Sequence, residues 1–218
     1  MDKKDLIAHS PVRYFDATNA GLKAGEMGLI TAKKGLGKTS VLVQFGIDNL
    51  LNDKALVHVS FDQQSSNVIA WYSSVLSEIS KKRNVNIADI NEDIVRNRMI
   101  FNFNQETFKL PKVVNQLKAL KGGGFNIACV VVDGLDLAKA SKEDLDCFAD
   151  FIKSEKMTAW FSYTNEAPTL KATLDSDKLD DFATVAHIEA ESKNISLTLL
   201  KNGDGKVNLD AKTLLMTK

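Results

Sequence analysis

Two short stretches of this chain hold residues whose types and spacing could do chemistry on phosphate. The first is AKKGLGKTS, residues 32–40. Gly35 and Gly37 let the backbone curl so that successive N–H groups converge on one point, which makes an anion site. A helix beginning at Lys38 would add the positive end of its dipole there. Lys38 can then reach the outer phosphates of a nucleotide, and the Thr39 hydroxyl can ligate Mg²⁺. On this reading Lys34, Gly35, Leu36, Gly37, Lys38, Thr39 and Ser40 form the nucleotide-binding segment, and Lys38 also acts on the reacting phosphates. Ala32 replaces the first glycine of the pattern, and a small side chain suffices where strand turns into loop. A lysine-rich turn that happens to contain GKT is the plain alternative. The strand and helix patterns on either side favour the phosphate loop.

The second stretch is VVVDGLD, in which Asp133 emerges from a hydrophobic run. An acid at the C-terminal end of a strand is where an α/β sheet binds ligands, and it suits Mg²⁺. Thr39 and Asp133 are therefore the expected metal ligands. A helix N-cap is the bland role for such an aspartate.

Elements to position these residues can be read on both sides of them. EMGLITA (26–32) suits a buried strand, and Lys38 to about Leu51 has helical periodicity. KALVHVS (54–60) reads as a strand, Gln64 to about Arg83 as an amphipathic helix, and NIADINEDIVRN as a short helix. In the spacing of Val68, Trp71, Tyr72 and Val75 a buried helix face is favoured over a partner surface. MIFNF (99–103), a helix over 109–121, the strand 127–133, a helix from Ser141 to Ser154 and the strand 158–164 follow. Ser141 is a plausible N-cap, with Asp144 three residues on. ATVAHIEA, ISLTLLK and then KVNL or TLLM close the chain as β segments. The pattern predicts one α/β domain over 1–218, residues 1–24 forming a leader, with a mainly parallel sheet and antiparallel strands at the C-terminal edge.

With these residues in view, GLKAGEMGLITAKKGLGKTSVLVQ resembles the entry to the RecA-like P-loop ATPases, especially the KaiC, RadA and DnaB branches. Gln44 falls where those proteins often carry Gln, and VHVSFDQ, VVVDGLD, Tyr163-Thr164-Asn165 and LTLLKNGDG continue the likeness. The resemblance implies a three-layer fold and ATP with Mg²⁺ as ligands. It also implies that Asp62, in place of the Ser-x-Glu glutamate, orients or deprotonates the attacking water, from the end of a strand beside the phosphate-loop strand. An aspartate is one methylene shorter, and a polar loop residue beside Gln63 and Gln64 is the alternative. Helicase-like members use a late Lys-x-Arg pair across a subunit boundary; here Lys201 is followed by Gly203 at the arginine's place. Relatives that translocate on DNA carry DNA loops after Asp133 and after the 158–164 strand. Here those stretches hold four acids with two lysines and five acids with two lysines, so no DNA binding is expected.

The function implied is a slow ATPase working as a conformational or assembly switch. The alternatives are a nucleotide-binding interaction module with little hydrolysis, or a ParA/MinD-like switch, for which Lys33 would be the signature lysine. A GTPase is disfavoured, since no N-K-x-D follows a strand. Basic and acidic residues number 28 each, which removes any global pull toward nucleic acid or anionic membrane and permits self-association or an unidentified protein partner. Cys129 lies in an apolar run, and the three histidines are scattered, so a metal site built from side chains alone is not expected. The charged start and the lack of a long apolar run predict a cytoplasmic chain without a membrane span.

Overall fold

The computed structural model describes residues 3–61, 63–83, 88–107, 109–192 and 194–218. Its strands are β1 (Met27–Ala32), β2 (Ala55–Phe61), β3 (Arg98–Phe103), β4 (Ile127–Asp133) and β5 (Thr158–Thr164). β6 (Phe182–Glu191), β7 (Asn194–Lys201), β8 (Lys206–Leu209) and β9 (Met216–Thr217) complete the set. The helices are α1 (Lys3–Ala8), α2 (Val12–Asp16), α3 (Lys38–Leu51), α4 (Ser65–Arg83), α5 (Ala88–Arg96), α6 (Leu110–Gly122), α7 (Lys142–Ser154) and α8 (Ser176–Asp180).

All nine strands join one sheet in the order β3-β2-β4-β5-β1-β6-β7-β8-β9. Pairings from β3 through β6 are parallel, and those from β6 to β9 are antiparallel. The expected α/β class, with its antiparallel edge, is therefore present. β4 alternates between two cores. Cys129 and Val131 pack on one face with α3 and α4, while Val130 and Val132 pack on the other with α6 and α7. Both faces being covered explains why this strand is nearly all apolar.

The expected leader is packed into the fold: Leu6 and Phe15 are wholly buried, and Val12 nearly so. Phe15 meets Phe45 and Trp160 edge-on, and Phe45 stacks on Trp160 with centroids 4.2 Å apart. Gly28 makes room for that indole, since a side chain there would collide with it. Burying a phenylalanine contributes about 2–3 kcal/mol, which is why so short a segment can be held.

One expectation needs correction, the place of β2. It does not lie beside β1; β4 and β5 stand between them, because β5 and β6 already occupy both edges of β1. The end of β2 is instead next to β4, with Ser60 in register with Asp133. Asp62 itself lies outside the described residues.

In α4, Val68, Tyr72 and Val75 are buried and Trp71 half-buried, so the aromatic pair belongs mainly to the core. Among the described residues no helix is long and apolar enough to cross a membrane.

Candidate functional site

Strand β1 runs into the loop at Lys33, and α3 begins at Lys38. The backbone must turn sharply between them, and it does so at Gly35 (φ +82°) and Gly37 (φ +90°), conformations that L side chains rarely adopt. Around Gly35 there is open space, whereas a side chain on Gly37 would collide with Leu214. Gly37 is the N-cap of α3 and offers no side-chain acceptor to the helix start. The first bond of the helix runs from Val41 N–H to the Gly37 carbonyl at 3.1 Å. The N–H groups of the preceding turn are thus left for another acceptor, as at every uncapped helix start.

Lys38 folds back over the loop, its Nζ donating to the carbonyls of Lys33 (3.2 Å) and Ala32 (3.4 Å). Burial pulls its pKa below the ordinary lysine range, while Asp133 and Glu166 oppose that shift. A partly desolvated ammonium held by neutral carbonyls is poised to exchange them for an anion. Lys34 and Gly35 are exposed, and Leu36, Thr39 and Ser40 are half-buried.

Although β5 intervenes between β1 and β4, Thr39 at the start of α3 and Asp133 at the end of β4 meet: Thr39 Oγ1 donates to Asp133 Oδ2 at 2.7 Å. Asp133 is only 4% exposed. Its other oxygen accepts a 2.5 Å bond from Ser162 on β5, and Ser162 accepts from Gly134 N–H at 2.9 Å. Gly134 holds φ +82°, and a Cβ there would lie 2.8 Å from the Phe61 carbonyl, so the chain leaves β4 tight against the end of β2. The aspartate is no helix N-cap. It is a buried carboxylate held by two hydroxyls with a lysine in its field, which is a donor set suited to a cation.

Among the described residues no three His, Cys, Asp or Glu side chains converge on one point. Mg²⁺ is typically held by one or two carboxylates together with phosphate oxygens and water. Thr39 and Asp133 are the residues that could hold it.

Three further residues take part, of which the sequence marked only Gln44. Ser162 stands out in TAWFSYT as a hydroxyl in an apolar strand, a signal present but unused. Gln44 is 1% exposed; its amide donates to Leu214 O at 2.9 Å, and its carbonyl accepts from Met216 N–H at 2.8 Å, clamping β9 to α3. Glu166, just beyond β5, accepts a 2.8 Å bond from Lys34 N–H inside the loop.

Other expected positions do not converge here. Lys201 donates to the carbonyls of Leu179 and Asp180 at the end of α8, at 3.1 and 3.3 Å. In the two acidic stretches, Lys178 is buried with its ammonium on the carbonyls of Leu137 and Ala138. Lys139 pairs with Asp136, and Lys142 with Asp146 and Asp181.

A cavity of about 390 Å³ lined by Asp16, Asp48, Lys54, Phe45, Lys156 and Trp160 lies at the opposite, N-terminal edge of the sheet. Anions are recognised by converging N–H groups and charge rather than by enclosure, so the loop remains the candidate site. Comparison with protein-family models and with curated proteins finds no match for this chain.

Proposed function

We propose that this chain binds Mg-ATP through residues 34–40 and belongs with the RecA-like P-loop ATPases, acting as a slow nucleotide-dependent switch. The observation that carries the reading is the hydrogen bond from Thr39, in the first turn of α3, to Asp133 at the end of β4, made beside a helix start with no side-chain cap. Two separate sequence motifs, 94 residues apart, meet only through the fold, as a shared metal would require. The mainly parallel sheet with an antiparallel edge supports the same assignment.

In this reading the loop N–H groups and Lys38 hold the phosphates, and Thr39 and Asp133 hold the cation. Ser162 fixes the rotamer of Asp133. Bound Mg²⁺ would neutralise charge on the outer phosphates. Asp62 stays the candidate general base, by resemblance.

Calorimetry tests the site. Wild type should bind Mg-ATP, and Lys38→Ala should weaken it about a hundredfold, the upper range for a charged hydrogen bond. Equal binding by the two proteins would end the assignment.

A second reading, a nucleotide-binding module that hardly hydrolyses, is favoured by Lys201. Its ammonium is engaged within its own chain, and Gly203 supplies no arginine to a neighbour. Single-turnover hydrolysis with protein in excess separates the two readings. Absence of DNA binding is also proposed, supported by the acidic balance of both stretches and by Lys142 and Lys178, whose ammonium groups are engaged within the chain. Submicromolar, salt-dependent DNA affinity would overturn it.

A further inference from the structure

We infer that the Glu166 carboxylate is a resident anion on the phosphate loop, one that the terminal phosphate of a nucleoside triphosphate must displace and a diphosphate need not. The inference rests on the phosphate-site reading above and adds a specificity to it.

Glu166 Oε1 sits 2.8 Å from Lys34 N–H, in the first half of the loop. Lys38 reaches back to that same half, with its ammonium on the carbonyls of Ala32 and Lys33. In a phosphate loop the lysine attends the outer phosphates, while the helix start attends the inner ones. The outermost phosphate therefore falls on the side of the loop where Glu166 already lies. Two anions cannot share one N–H donor, and like charges a few ångströms apart repel.

The residue before Glu166 is locked. Asn165 is 3% exposed, its N–H bonds to Ala32 O at 3.0 Å, and its side-chain oxygen accepts from Ala167 N–H (3.2 Å) and Thr173 Oγ1 (2.9 Å). Glu166 itself is exposed and free to rotate away from this anchored base. A carboxylate swinging on a fixed hinge is a gate for charge: it yields to a stronger ligand and returns when that ligand leaves. The path also leads outward, because Tyr163 donates its hydroxyl to Thr173 O at 3.1 Å, joining the β5 end to the segment before α8.

The test is calorimetric titration of Mg-ATP and Mg-ADP into wild type, Glu166→Gln and Glu166→Ala. Wild type should bind Mg-ADP at least as tightly as Mg-ATP. Both variants should bind Mg-ATP about tenfold more tightly, the size expected for removing one partly screened like charge, with Mg-ADP changed less than twofold. Glu166→Gln keeps the hydrogen-bond acceptor without the charge, so agreement between the variants assigns the effect to charge. A gain shared equally by both nucleotides, or no gain, overturns the role of Glu166 while leaving the site intact. Failure of either nucleotide to bind any of the proteins overturns the phosphate site and this inference with it. Thermal melting of the variants should match wild type, since Glu166 is exposed.

Discussion

Helices α3 and α7 each follow a strand of the parallel sheet, yet their first turns are built on opposite plans. The start of α7 is closed. Ser141 accepts from Asp144 N–H at 3.1 Å, and Glu143 and Asp144 lay negative charge on the positive end of the helix. The start of α3 is open. Its cap is Gly37 in a left-handed conformation, no acid occupies its first turn, and its first residue is a lysine, the wrong sign for that end. One helix start is arranged for its own stability. The other forgoes local stabilisation that an anion from outside would restore.

Three experiments separate the two helix starts. The largest effect should move both starts together, because it acts on the sheet beneath them. His58 is wholly buried on β2, where burial pulls its pKa down to about 4. The folded chain thus holds it neutral, while the unfolded chain takes up a proton below the ordinary value of 6.5. The stabilisation is complete above pH 6.5 and is lost as pH falls toward 4, up to about 3 kcal/mol. Denaturant midpoints across that range measure the loss, and His58→Asn should flatten the slope.

Next in size is Gly37→Ala. It meets Leu214 and forces a side chain into φ +90°, so about 2 kcal/mol of stability should go, together with most nucleotide affinity. Normal affinity in a destabilised variant would mean the open start is not the site. The smallest effect should be Ser141→Ala, about 1 kcal/mol of stability with nucleotide affinity unchanged. A loss of affinity there would mean that the closed start also reports to ligand.

Much of this was legible in sequence because it is local. The glycines, Lys38 and Thr39 lie within a few residues of each other, and Ser141 announces its helix through Asp144 three positions on. The amphipathic spacing of Val68, Tyr72 and Val75 marks a core face for the same reason. What escaped depends on pairing across the chain. The order of strands is not written in any one of them, so the end of β2 was expected beside β1 and lies beside β4. Residues 3–16 form helices of six and five residues, too short for periodicity to register, although Leu6 and Phe15 anchor them. Glu166 reads as one more acid in an acidic loop, because its bond to Lys34 spans 132 positions.

The clamp between Gln44 and residues 214–216 sets an order of events during synthesis. Leu214, itself held at φ +57°, lies against Gly37, and its carbonyl receives the Gln44 amide from 170 positions away. At roughly 5–20 residues per second, a growing chain would carry its finished residues 33–40 for on the order of ten to thirty seconds before the segment that braces them exists. Assembly of the site therefore waits on a segment translated long after the motif, and a chain stalled in between would carry the motif without its support.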